Sequence, residues 1–199
     1  MKTDQMKELL LQSLEHEMGG VKVYTEAVMC AQNDDLKKEW TKYLSQTKEH
    51  VQKLEAVCEA MGIDAGQETP GRKVLRHLGA GLVDAMKMAK SGGGPAAAEL
   101  VACECVVIAE TKDHLDWELI GECAKHYSGD GAKELKAAAE EIEDQEDEHL
   151  YHSKGYCREL WLKSLGLKAV LPPPEERKNV KTAIGAARAE KAAHHSGHR

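Results

Sequence analysis

The 199-residue chain predicts an all-α fold: an antiparallel four-helix bundle with one helix in its crossover connection and a helical C-terminal extension. Three observations predict it. Apolar residues recur at helical spacing over four long stretches. The 17 Gly and 5 Pro cluster mostly between those stretches. Phe is absent and aromatics amount to 4%, so Leu, Val, Ala and Met fill the core, which suits helices better than sheets.

The first helix is expected from Gln5 to Ala31, with Leu10, Leu14, Val21, Tyr24 and Val28 along one face. It stops at Asn33-Asp34-Asp35, whose short polar side chains also suit the start of the next helix. The second runs from Asp35 to Met61 on the stripe Leu36, Trp40, Leu44, Val51, Leu54 and Cys58, and Gly62 follows as its C-cap. Residues 63–95 form a connection that holds a short helix, Lys73 to Lys90, closed by Gly92-Gly93-Gly94-Pro95. The third long helix is expected from Pro95 to Tyr127 and the fourth from Gly131 to Leu165. Pro172-Pro173-Pro174 breaks the chain, and Glu175 to Ala193 reads as one further, loosely attached helix. The chain thus divides into a bundle over 1–167 and a basic, partly mobile extension over 168–199. Two short connections flank one of about thirty residues, so two hairpins are joined by a long crossover.

Apolar residues make up 42% and charged residues 31%, the balance of a globular domain. No stretch approaches the ~20 apolar residues that span a bilayer, so no membrane partner is expected. The opening MKTDQMKELL has no apolar signal core, which points to a cytoplasmic protein. A net charge of -7 argues against nucleic acid as the main partner. Residues 168–199 carry seven Lys/Arg against three Glu, net +4, which leaves -11 for the rest of a chain totalling -7. An acidic body invites cations.

The six Cys are expected as reduced thiols packed in helices. Cys103 and Cys105, two apart, fall on different faces and form neither a zinc knuckle nor a CxxC pair. No Ser/His/Asp order, P-loop or dinucleotide fingerprint stands out. The Gly92–Gly94 run has no Lys-Ser/Thr after it and reads as a linker. The tail histidines His194, His195 and His198 read as incidental.

Ionisable groups interrupt the apolar stripes. A buried charge costs several kcal/mol (order of magnitude) unless it is paired or ligated, so these residues need a reason. Glu17 falls on the stripe of the first helix. Glu110 and His114 fall on that of the third, with Asp113 at its edge. Glu146 and His149 fall on that of the fourth. The second carries Thr47 and, one step round, His50. Glu146 and His149 form an E-x-x-H pair, whose i, i+3 spacing aims both side chains at one point. Seven of the nine residues from Glu140 to Glu148 are acidic, so that pair alone arises readily by chance. The stripe positions of Glu17 and Glu110 raise its weight. There is also an internal echo: Gln46-Thr47-Lys48-Glu49-His50 parallels Gln145-Glu146-Asp147-Glu148-His149. Three inward carboxylates and two imidazoles suit iron or manganese.

These residues resemble the ferritin-like superfamily of rubrerythrins, bacterioferritins and related stress-associated bundle proteins. The resemblance spans residues 5–165 and rests on Glu17-x6-Tyr24, His50-Val-Gln-Lys-Leu54, Glu110-x6-Trp117 and Glu146-x-x-His149. It implies a dinuclear metal centre, with the ligands transferred by position to Glu17, His50, Glu110, Glu146 and His149. It implies two iron ions (or manganese, or a mixed pair) and reaction with oxygen or peroxide in a ferroxidase or peroxidase-type oxidoreductase. It further implies a homo-oligomer, with a dimer as the first expectation. Rubrerythrins often carry a Cys-rich iron domain for electron delivery; none is visible here, so the electron donor is expected to be external. The sequence departs from the family at Thr47, where the pattern has Glu. Glu49 is on the wrong face, and Asp113 or His114 stands as the substitute ligand. The competing expectation, carried by Thr47, is a metal-poor ferritin-like protein with a structural or stress-response role in assembly.

Overall fold

The computed structural model describes residues 2–194, and they contain helices and no strand. The helices are α1 (Thr3–Cys30), α2 (Asp34–Ala60), α3 (Pro70–Gly92), α4 (Gly94–His126), α5 (Ala132–Ser164), α6 (Pro174–Arg177) and α7 (Ala183–His194). The side chain of His194, together with His195 and His198, lies outside the described residues.

Local chemistry sets the boundaries. The Asn33 side chain accepts the Leu36 N–H at 2.9 Å and starts α2. Gly62 follows α2 at φ +67°, in the left-handed region where glycine carries no Cβ penalty. Thr69 caps α3, with Pro70 in its first turn. The crossover helix is longer than the sequence suggests. The expected Gly92–Gly94 linker shrinks to Gly93, because Gly94 at φ +75° turns the chain straight into α4. Gly131, at φ +76°, precedes α5, and a Cβ there would meet Met61 Cγ at 2.6 Å.

The four long helices pack as α1 on α2, α2 on α5, α5 on α4 and α4 on α1, an arrangement compatible with a four-helix bundle. Helix α3 lies against α1 and α4. Gly79 comes close to α1, where a Cβ on it would lie 3.5 Å from Gly19 Cα. The Glu15 carboxylate of α1 pairs with Arg72 at 2.9 Å and Arg76 at 2.8 Å, which fixes α3.

Two apolar clusters fill the interior. One holds Val23, Tyr24, Trp40, Tyr43, Val106, Ala109 and Tyr156. The other holds Leu10, Leu14, Leu54, Trp117, Ile120, Leu135 and Ile142. Chain order through these clusters makes α1 and α5 run one way and α2 and α4 the other. All six Cys are free thiols. Cys103 and Cys105 are both buried, since α4 is covered by α1, α3 and α5.

The extension expected as one helix is two, α6 and α7. Asn179 turns the chain between them at φ +48°. Arg158 of α5 donates to both Glu175 oxygens, at 2.7 and 3.0 Å. Gly155 permits the approach: a Cβ there would meet Glu175 Oε2 at 2.7 Å.

Candidate metal centre

Between the two apolar clusters lies a polar layer. Along α1 it falls between Leu14 and Val23, at Glu17. Along α2 it falls between Tyr43 and Leu54, at Thr47 and His50. Along α4 it holds Glu110 and Asp113, and along α5 Glu146 and His149. All seven side chains are buried, none more than 4% exposed.

His50 Nδ1 stands 3.3 Å from Glu17 Oε1 and 3.1 Å from Glu146 Oε1. His149 Nδ1 stands 3.3 Å from the same Glu146 oxygen and 3.6 Å from Glu110 Oε2. Two groups of three ligand atoms result, Glu17–His50–Glu146 and Glu110–Glu146–His149, each lying within 4.8 Å of one another. Glu146 belongs to both. The two imidazoles stack at 5.8 Å between centroids.

Residues outside the ligand groups hold them in place. His50 Nε2–H donates to Gln145 Oε1 at 3.0 Å, and His149 Nε2–H donates to Gln46 Oε1 at 3.1 Å. Each imidazole is thus oriented by the glutamine of the other repeat, and both Nδ1 atoms turn toward the carboxylates. The Trp117 indole N–H donates to Glu17 Oε1 at 2.8 Å. The Tyr43 ring packs 4.1 Å from the His149 ring, and the Tyr24 ring meets its edge at 6.1 Å.

Buried polar atoms normally have hydrogen-bond partners. Here Glu17 Oε2, Glu110 Oε2, Asp113 Oδ1, both Glu146 oxygens, His50 Nδ1 and His149 Nδ1 have none. Among them, Glu146 Oε1, Glu110 Oε2 and the two Nδ1 atoms lie close to one another across the layer. Oxygen and imidazole donors left without hydrogen bonds in a dry interior fit a divalent transition-metal cation.

The charges are strongly coupled. Burial alone lowers the imidazolium pKa of both histidines, but the carboxylates outweigh it. Glu17 and Glu146 raise His50 to about 11, and Glu146 and Glu110 raise His149 to about 9. Burial raises Glu146, yet His149 and His50 hold it well below the usual carboxylate range. Burial and the Glu146 charge push Glu110 up to about 7. Burial, then Glu17 and Glu146, pushes Asp113 far above its ordinary value. In the absence of a metal, protons on the imidazoles balance the carboxylates.

The structure brings Glu17, His50, Glu110, Glu146 and His149 together. Asp113 is buried beside them but falls outside the two ligand groups. His114 does not join: its Nε2 pairs with Asp147 Oδ1 at 2.7 Å near the surface. Glu49 is exposed. Thr47 is buried and its hydroxyl donates to the Tyr43 carbonyl at 2.9 Å. Its Cγ2 packs over Gly20, where a Cβ would come within 3.2 Å. The roles of Gln46 and Gln145 escape sequence reasoning, although the Gln-x3-His echo was the signal for both.

In comparisons with protein-family models, curated proteins and solved structures, the chain matches none.

Proposed function

We propose that this chain is a ferritin-like four-helix bundle that holds two metal ions and works as a ferroxidase or peroxidase-type oxidoreductase on oxygen or peroxide. Iron is the proposed metal, with manganese or a mixed pair as the variants of the same reading. One observation carries the proposal: Glu146 is shared by two buried ligand groups, each completed by one imidazole and one further carboxylate. Glu17 and His50 would hold one ion, Glu110 and His149 the other, and Glu146 both. Bound iron supplies the electrons for reduction of the oxidant.

The chain's own residues perform the rest. Gln46 and Gln145 keep Nε2 of each imidazole occupied, so that Nδ1 serves as the donor atom. Trp117 fixes the Glu17 carboxylate. The apolar clusters on either side exclude bulk water. Asp113 Oδ1, with its raised pKa, holds a proton beside the ligand carboxylates. Electrons for repeated turnover come from an external donor, and a homodimer is the proposed assembly. No helix among the described residues is long and apolar enough to cross a membrane.

The test is oxidation of Fe(II) by oxygen or hydrogen peroxide, followed in wild type and in Glu146→Ala. The proposal expects protein-dependent oxidation that Glu146→Ala abolishes. Equal rates in the two proteins would overturn it.

Thr47 favours a second reading. With a hydroxyl in place of the family's carboxylate, and with imidazolium balancing the glutamates, the layer serves as a metal-poor ionic lock in a structural or stress-response protein.

A further inference from the structure

A separate group of donors lies at the hydroxyl end of Tyr43, the residue whose ring packs on His149. A ring nitrogen of His152 and carboxylate oxygens of Glu39 and Glu148 lie within 4.8 Å of one another. His152 is 98% buried by its 2% exposure, and its Nε2 has no hydrogen-bond partner. Its Nδ1 is 3.1 Å from the Tyr43 hydroxyl. Glu39 Oε2 is likewise buried without a hydrogen bond. Glu148 is paired with Lys42 at 2.6 Å, a contact that offsets one of the two negative charges and leaves the other.

The C-terminal extension closes this corner. The Val180 backbone reaches His152, and Glu176 lies in the field of Glu39 and Asp35. The Tyr156 hydroxyl and the Glu176 carboxyl face each other at the edge of this corner. A buried imidazole nitrogen and a buried Glu39 oxygen, both without hydrogen bonds, beside the Glu148 carboxylate form a donor set for a cation.

We infer that Glu39, Glu148 and His152 form a further binding site for a divalent transition-metal ion, distinct from the layer around Glu146. An imidazole with two carboxylates suits Fe(II), Mn(II), Co(II) or Zn(II) over the all-oxygen sites of Ca(II) and Mg(II). The site joins α2 to α5 beneath the extension. It shares no ligand with the inner groups and does not depend on their being filled.

The experiment is anomalous X-ray diffraction at the cobalt edge on crystals of the full chain soaked in Co(II) alone. Wild type is expected to show a peak bounded by Glu39, Glu148 and His152. Glu39→Gln, a nearly isosteric change, and His152→Ala are expected to lose that peak. Glu146→Ala is expected to keep it while losing any peaks in the inner layer. No wild-type peak at this corner, or a peak that persists in both Glu39→Gln and His152→Ala, would overturn the inference. Presence or absence of inner peaks bears only on the proposed dinuclear centre.

Discussion

Gln145 accepts the Nε2 hydrogen of His50 at 3.0 Å across the interface of α2 and α5. Gln145 directly precedes Glu146, whose Oε1 is 3.1 Å from the other nitrogen of that ring. One segment of α5 thus addresses both ends of a single imidazole. From α2, Gln46 accepts the Nε2 hydrogen of His149 in the same way, while Glu146 and Glu110 face its Nδ1, so the echo in the sequence has a physical purpose at the two glutamines.

Replacing either glutamine leaves the imidazole free to rotate or to change tautomer. Gln145→Leu and Gln46→Leu are each expected to weaken metal binding by about 10–100-fold, as loss of a group that orients a metal ligand does. Competition against a coloured chelator measures this. The helical content by circular dichroism should be retained.

Proton balance gives a second prediction. Both histidines have folded-state pKa values raised above the ordinary 6.5, His149 to about 9 and His50 to about 11. A raised histidine contributes stability that is fully present below pH 6.5 and is lost as pH rises through the folded value. Glu110, raised to about 7, acts in the same direction, because charging it in the interior costs stability. The melting temperature of the metal-free protein should therefore fall between pH 6.5 and 9.

Metal binding reverses that dependence. A metal at Nδ1 displaces a proton, so affinity should rise with pH and binding should release about two protons per chain at neutral pH. A pH indicator in weakly buffered solution reads the release during anaerobic Fe(II) titration.

The crossover helix offers a prediction independent of the metal. Arg72 is buried on Glu15, and Arg76 pairs with the same carboxylate from a more exposed position. Arg72→Ala leaves Glu15 paired with Arg76 but removes the donors to the Ala65 and Gln67 carbonyls, and should destabilise the fold by about 1–3 kcal/mol, the usual cost of leaving buried acceptors unmet. Urea unfolding measures it. The Arg76 hydrogen bond is the largest influence on Glu15 and lowers its pKa. This contribution is therefore present above about pH 4.5 and is lost as the carboxyl protonates below it.

Much of this was legible in the sequence. The four long helices and the inward positions of Glu17, Glu110, Glu146 and His149 follow from 3.6-residue periodicity, which fixes what shares a face. His50 was harder, because Thr47 occupies the stripe and His50 lies one step round it; burial by Glu17 and Glu146 is a tertiary effect. The glutamines were hidden for the same reason: each bonds across to the other hairpin, and no local rule pairs residues about a hundred positions apart. The extension reads as one helix in the sequence because alanine-rich periodicity over 183–193 masks the turn at Asn179.

Metal content of the purified chain decides between the dinuclear centre and the ionic lock. After anaerobic saturation with Fe(II) and removal of free ion, elemental analysis should find about two inner-layer ions per chain, with any ion at Glu39–Glu148–His152 discounted through the His152→Ala background. In His152→Ala/Glu146→Ala that pair should vanish. A His152→Ala protein that retains no iron, or one whose iron is unchanged by the added Glu146→Ala, would contradict the centre and leave the bundle as a scaffold.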